Sequence, residues 1–422
     1  MVWRVHKWRS LWKPIDAEAL PSSLSSVRRL AQERVELDLH PHTATEVEDA
    51  MRTFKKNTSQ SATQWAPNEP LLAGRQAIDA LVPFINEIEA TAVLPLLERL
   101  IVLMFLGKVT GGERPIGSLG WLYRLITRLR AWVPRSWDSK RAGFWDSAIR
   151  GSSALRAAMV RAFRCEMAVR AGLDATALLW DLSAFYEMIQ WVPLLEVALD
   201  TGYDPLDLAL GMQQHLGPRT LVTDSYYSEW LEADSVIAGC SQAPTWSRCI
   251  LLDILEAVHA AWPSAGHSQH IDDLAQVVDG TSDYIFDTLT PAAAHLSEAL
   301  ERRGFQISDK TAILPTSSPG ARRVFARLRD SGMPIKIAAR DRDIGADATA
   351  GRSRRVGVQR LRYQDARKRV LKNAHLGKAD SKAKQFYKPG TLARSRRSGV
   401  GRPPRKWHCA TIAGGRESCT VQ

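Results

Sequence analysis

Apolar positions along the 422-residue chain change period several times, and each change predicts an element. Leu71 to Leu106 opens with helical spacing and closes on the unbroken run Leu100-Ile-Val-Leu-Met-Phe-Leu106, whose composition predicts a strand. Thr110-Gly-Gly-Glu113 supplies a turn and Arg114-Pro-Ile-Gly-Ser118 a return strand, giving a hairpin that carries Lys108 and Arg114. Ala154 to Ala171 places apolar residues at helical spacing with Arg156, Arg161, Arg164 and Arg170 between them, which predicts an amphipathic helix with a basic face. From Ala177 the pattern reads strand (ending at Asp181), helix (Met188 to Leu199), helix (Asp204 to His215), two strands (Arg219 to Ile237) and helix (Thr245 to Trp262). A hairpin (His270 to Val278), a helix (Pro291 to Arg303) and a strand (Phe305 to Leu314) follow. This order lacks the regular βα period of a doubly wound sheet. It predicts an α+β fold, with the first strand, the hairpin and the last strand side by side in an antiparallel sheet and the helices packed on one face. Residues 1–70 read as short helices and loops without evident chemistry, and a Lys/Arg-rich helical stretch is expected beyond Arg352.

Two adjacent carboxylates, Asp272 and Asp273, interrupt the hairpin Ser268-Gln-His-Ile-Asp-Asp-Leu-Ala-Gln-Val-Val-Asp279. A third, Asp181, ends the run Ala177-Leu-Leu-Trp180 and lies on the strand expected beside that hairpin. Oxygen-only ligands on a few carboxylates suit Mg²⁺, with Mn²⁺ as the alternative, and two such ions can clamp both oxygens of an in-line phosphoryl transfer. An isolated Asp-Asp pair is more often a surface turn, so the pair alone does not establish a metal site. Nothing resembles a Gly-rich phosphate loop of the Walker type.

Charge divides the chain. Residues 321–422 hold 27 Lys/Arg against 7 Asp/Glu, a net of +20, while residues 1–320 hold 30 against 38, a net of −8. A basic block beside a mildly acidic body points to a polyanionic partner, and a solvated, disordered tail is the plain alternative for residues 378–422. Five cysteines with no CxxC pair support neither a disulfide framework nor a zinc site, which fits a reducing, intracellular compartment, nuclear or cytoplasmic. The N-terminus lacks an apolar secretory segment, and the strongest apolar stretch, Ala90 to Gly107, is too short and too charged to span a bilayer, so no membrane is expected.

Taken in order, these segments resemble the motifs of the reverse transcriptase family, most like those of non-LTR retroelements and group II introns, over roughly residues 45–350. Lys108-Val-Thr-Gly-Gly-Glu-Arg-Pro-Ile116 is similar to the fingers hairpin that holds the incoming triphosphate. Trp180-Asp-Leu-Ser-Ala-Phe-Tyr-Glu187 resembles the first palm motif, and His270-Ile-Asp-Asp273 the third. Gly304-Phe-Gln-Ile-Ser-Asp-Lys-Thr311 is similar to the fourth, and Asp343-Ile-Gly-Ala-Asp347 to the primer-grip hairpin. The second palm motif is matched best by Ile237-Ala-Gly-Cys-Ser241, which sets Ala238 where the family has glutamine; Gln242 is the rival register. His270 stands where the family has an aromatic.

The resemblance implies a right-hand polymerase: fingers at 71–176, palm at 177–350, a thumb-like basic helix at 351–378, an N-terminal extension at 1–70 and a basic tail at 379–422. It implies an RNA-directed DNA polymerase acting on an RNA template, a DNA or RNA primer and dNTPs, with endonuclease or RNase H modules elsewhere in the element. Asp181, Asp272 and Asp273 would hold two Mg²⁺ ions, with the Leu182 carbonyl as an extra ligand. Lys310 would protonate the leaving pyrophosphate. Lys108 and Arg114 would bind phosphates, Tyr186 would exclude a 2′-hydroxyl, and Ala238 and Gly239 would face the nucleotide and template. The plain readings are a solvated hairpin face for Lys108 and Arg114, a core aromatic for Tyr186 and a solvated lysine for Lys310. Two alternatives stand beside the main one: a catalytically weakened RNA-binding protein of the same fold, and an RNA-directed RNA polymerase.

Overall fold

The computed structural model describes residues 2–107, 113–223, 226–339, 341–343 and 346–348, with a few residues between 360 and 368. Lys108, most of the thumb-like helix and the whole basic tail therefore lie outside the described residues.

The N-terminal part is helical: α1 (Val2–Leu11), α2 (Ala19–Asp38), α3 (Ala44–Arg52) and α4 (Arg75–Thr91). At 20 residues α2 exceeds the short helices expected there. A capping box fixes the start of α3: Thr43 accepts from the Glu46 backbone N–H while the Glu46 carboxylate accepts from that of Thr43. The strands β1 (Ile101–Gly107) and β2 (Glu113–Ser118) form the expected hairpin, followed by α5 (Trp121–Leu129), α6 (Trp132–Arg141) and α7 (Ala154–Arg170). The next elements are β3 (Asp174–Trp180), β4 (Leu182–Ser183), α8 (Phe185–Met188), α9 (Trp191–Asp200), α10 (Pro205–His215), β5 (Arg219–Thr223), β6 (Tyr226–Tyr227) and α11 (Ala243–Ala261). They lead to β7 (His267–His270), β8 (Asp273–Gly280), α12 (Ser282–Arg302), β9 (Gln306–Ile307), β10 (Ala312–Pro315) and α13 (Ser318–Asp330). The last elements are β11 (Lys336–Ile337), β12 (Asp341–Asp343) and β13 (Ala346–Ala348).

The molecule is mixed α and β with mainly antiparallel sheets. One sheet has the order β11-β10-β3-β8-β7, so the first strand, the hairpin and the last strand lie together as expected. Trp180 pairs with Leu274, which brings the ends of β3 and β8 level. The second sheet, β2-β1-β5-β6, draws the early hairpin against a strand more than one hundred residues later. β12 pairs antiparallel with β13, Asp343 opposite Ala346.

The expectation that helices cover one face of the main sheet is corrected. Leu178, Trp180, Leu274, Val278 and Ile313 point into the large core shared with α11 and α12. Ala175, Ala177, Val277 and Leu314 face the other way and pack against Cys165 and Ala168 of α7. Alternation along a strand buried on both sides leaves little polar signal in the sequence, which is why the second layer was not read. The basic face of α7 is also only half right. Small residues at Ala157, Ala158, Cys165 and Ala168 let the helix lie close to the sheet, and Arg161 is buried with them, donating to Ser268 Oγ at 2.8 Å. The bulky Met159, Val160, Phe163 and Met167 are turned outward.

At the centre lies α10, whose residues 206–215 are all buried. Asp204 caps it, accepting from Leu206 and Asp207, and Pro205 occupies the first turn where a missing N–H costs nothing. Its polar side chains serve the surrounding backbone: Gln213 accepts from Leu94 N–H at 3.0 Å, and Gln214 accepts from Gly120 N–H at 3.1 Å. No helix among the described residues is long and apolar enough to cross a membrane.

Candidate active site between the two sheets

The β7–β8 hairpin turns in two residues, since His270 pairs directly with Asp273. Ile271 therefore sits at φ +65°, a conformation costly for a β-branched side chain, and Asp272 is carried at the tip. Asp181 follows β3 directly and its backbone is clamped from both sides. Its N–H donates to Thr311 Oγ1 at 3.1 Å, and its carbonyl accepts from Ser308 N–H at 2.8 Å. Thus the Gly304–Thr311 segment holds the residue that ends β3, with Leu182 paired to Ile307 just beyond.

Asp181 and Asp272 come within electrostatic reach of each other. Burial pushes the Asp272 carboxyl above its ordinary value, and the Asp181 charge adds to that, while Arg114 and His270 oppose it. Arg114 itself is exposed on β2, and its positive charge reaches Asp272 from the other sheet. Asp273 starts β8 beside Asp272. Among the described residues no group of three or more His, Cys, Asp or Glu side chains is gathered as a metal cluster. The donor set is therefore the two carboxylates of Asp181 and Asp272, with Asp273 and the Leu182 carbonyl adjoining in sequence. A half-buried carboxylate whose pKa is raised by desolvation and further by a neighbouring carboxylate suits a divalent cation, which would offset both.

Tyr186 stands in α8, half-buried, five residues after Asp181. Burial pushes its phenol pKa up and the Asp272 charge adds to the shift, while Ser247 on α11 opposes it. Ala184 before it takes φ +47°, which turns the chain sharply from β4 into α8. Gly239 has φ +110°, is exposed, and lies against β2: a Cβ there would be 3.4 Å from Ile116 Cγ2. Ala238 precedes it and its carbonyl accepts from Gly117 N–H at 3.1 Å. Gln242 is buried, and its Nε2 donates to Asp207 Oδ2 at 2.8 Å. That contact turns the Gln242 amide toward Asp207, although the residue still lines the cavity beside Gly239. Lys310 is exposed at the end of the clamp segment, its N–H on Ser308 Oγ.

His270 has a partner that the sequence did not announce. Ser147 Oγ donates to the Gln269 carbonyl at 2.8 Å and lies 3.0 Å from His270 Nδ1. A hydroxyl has one proton, so Ser147 accepts from the imidazole Nδ1–H. Beside it, Arg248 of α11 joins Asp138 and Asp146 and donates to the Ala148 carbonyl. Arg248, Arg124, Arg128 and Arg135 line a cavity of about 570 Å³ that runs from Gly239 along α5 and α6. All four escaped sequence reading, although Arg124 and Arg128 are one helical turn apart on α5. Compared with known proteins, the chain matches no protein-family model and has no significant match among curated proteins.

Proposed function

We propose that this chain is a templated nucleotidyltransferase of right-hand polymerase form, an RNA-directed DNA polymerase of the retroelement kind. The observation that carries the reading is the meeting of Asp181 and Asp272 at level ends of adjacent antiparallel strands, with the positive charge of Arg114 reaching Asp272 from the other sheet. In this reading the sheet β2-β1-β5-β6 belongs to the fingers, the sheet carrying β3 and β8 is the palm, and the arginine-lined cavity is part of the template path.

Asp181 and Asp272, with Asp273 and the Leu182 carbonyl, would hold divalent Mg²⁺, or Mn²⁺ in its place. When bound, the ions would lower the pKa of a primer 3′-hydroxyl and neutralise charge on the triphosphate. The residues of the chain do the rest. The 3′-oxygen bonds to the α-phosphorus as the bond to pyrophosphate breaks. Arg114 draws phosphate oxygens from the fingers side with a planar, two-pronged guanidinium. The Tyr186 ring is packed against Phe185 and the core, so it can meet a 2′-hydroxyl with an unyielding surface. Gly239 keeps the backbone low where a template base would approach. Lys310, exposed and next to the clamp on Asp181, is the proton donor for the departing pyrophosphate.

Primer extension on an RNA template with dNTPs and Mg²⁺ tests the reading. Wild type is expected to extend, and Asp272→Ala and Asp181→Asn to lose on the order of 1,000-fold or more, in line with removal of a group that acts in the transition state. Equal duplex binding with no extension by wild type would defeat it. One observation favours a second reading, a weakened enzyme that mainly binds RNA: the Gln242 amide is turned toward Asp207, and Ala238 is the residue before Gly239.

A further inference from the structure

The helix α7 turns two unlike faces to its surroundings. Its inner side is made of small residues, Ala157, Ala158, Cys165 and Ala168, and lies against the main sheet. Its outer side carries bulky ones: Leu155 is 40% exposed, Met159 62%, Val160 60%, Phe163 60% and Met167 48%. The outer side of a helix ordinarily holds polar side chains, and a contiguous apolar patch on the order of several hundred Å² marks an interaction site. The order along this side is regular. Arg156, Val160, Phe163, Met167 and Arg170 follow one another at steps of four, three, four and three residues, the a and d repeat of a seam on which a second helix packs. Arg156 and Arg170 are both exposed and close the two ends of the seam, about 21 Å apart at the rise of an α-helix. The acid of this helix, Glu166, is half-buried at the rim beside Met167.

We infer that this seam receives an amphipathic helix from another polypeptide, apolar in its middle and carrying a carboxylate opposite each arginine. The inference does not rest on the polymerase reading. Charge selects the occupant. In a symmetric pair of α7 helices the arginines meet each other, Arg156 on Arg156 if parallel and Arg156 on Arg170 if antiparallel, so a second copy brings like charges into the seam. The chain's own residues 352–378 hold ten Lys/Arg against one Asp and would meet the same ends with the same sign. A nucleic-acid duplex offers phosphates to the arginines but little that covers Phe163 and the two methionines. A helix with Glu or Asp at both ends and aliphatic side chains between them meets both demands, burying the apolar centre while it neutralises the ends. The unbranched thioethers of Met159 and Met167 adapt to the side chains such a partner inserts.

The test is fluorescence anisotropy on the full-length chain with labelled, Ala-based helical peptides of about 18 residues, long enough to span the seam. One peptide carries Leu at the three central seam positions and Glu at the two outer ones; the other has Lys in place of both Glu. Wild type should bind the Glu peptide at least about ten-fold more tightly than the Lys peptide. The double variant Arg156→Glu, Arg170→Glu should reverse that preference. Phe163→Ser should weaken the Glu peptide about ten-fold or more, with the thermal midpoint unchanged because the ring lies outside the core. Equal binding of the two peptides, binding of neither, or a preference that the charge reversal does not invert overturns the inference. A dimer seen in sedimentation velocity and dissolved by Phe163→Ser gives the face to a second copy and also overturns it. With no peptide preference, Phe163-dependent binding of an RNA·DNA duplex or of phosphatidylserine vesicles overturns it too, in favour of nucleic acid or lipid.

Discussion

Gly239 shows how tightly single residues are specified around the site. At φ +110° an L side chain is strained, and its Cβ would sit 3.4 Å from both Ile116 Cγ2 and the Gly117 carbonyl. Gly239→Ala should cost about 1–2 kcal/mol in local backbone energy. Because the turn is exposed, the thermal midpoint should move by only a few degrees while the specificity constant for nucleotide incorporation falls further. Single-nucleotide incorporation measured beside a melting curve separates the two, and an unchanged specificity constant would remove Gly239 from the site. Next to it, Ala238→Gln should raise incorporation by about ten-fold or more if the chain is a weakened polymerase, since a glutamine there gains the reach that Gln242 has given up. Tyr186→Ala should ease incorporation of ribonucleotides relative to deoxynucleotides, read from the ratio of their specificity constants. The acids were legible because two adjacent carboxylates break an apolar alternation. The fate of Gln242 was not, because Asp207 is 35 residues away on a helix whose burial the sequence does not advertise.

At the level of elements, the N-terminal helix has a role that its composition concealed. Residues 1–70 offered no motif, yet α1 buries Trp8 and lays Arg4 across Glu113 of β2 and Thr223 of β5. Arg4 therefore ties the turn end of the β1–β2 hairpin to β5 in the middle of its sheet. The pair is partly exposed, 24% and 18%, so its contribution is small, about 1 kcal/mol or less. Small free energies still govern local opening. Arg4→Ala should make the hairpin up to about five-fold more susceptible to a glutamyl endopeptidase at Glu113, with the global melting midpoint little changed. Limited proteolysis followed by mass spectrometry reads this, and equal cleavage rates would show that α1 does not brace the hairpin. The α7 helix carries a similar lesson. Its spacing was read correctly, but which side faces the sheet was not, because small residues rather than large ones make the close contact. Period reveals that a helix is amphipathic, and close packing against a sheet can select the small face over the bulky one.

Across the whole molecule, buried imidazoles set the response to pH. On α10, His215 accepts from Ile237 N–H at 2.8 Å, which fixes the chain just before Ala238 and Gly239, and burial holds its pKa well below the usual histidine value. On β7, His267 is buried beside Gln276, and burial lowers its pKa to about 4. Gln276 Nε2 lies 3.4 Å from its Nδ1, and its Nε2 lies 3.3 Å from the Trp262 carbonyl, an arrangement satisfied by a neutral ring protonated on Nε2. In the unfolded chain a histidine titrates near its ordinary value of about 6.5. Between that value and about 4 the unfolded state binds a proton at His267 that the folded state refuses. The stability held by the neutral ring is thus complete above about pH 6.5 and is lost as pH falls, by roughly 3 kcal/mol over the full window. His267→Gln, which keeps a donor and an acceptor but cannot titrate, should remove up to about 1.4 kcal/mol per pH unit of this slope. Urea unfolding of both proteins at about pH 7.5 and about pH 5 checks it: the wild type should lose more stability than the variant between the two. Parallel losses would mean that the slope originates elsewhere, with His215 the next residue to replace, since burial lowers its pKa as well.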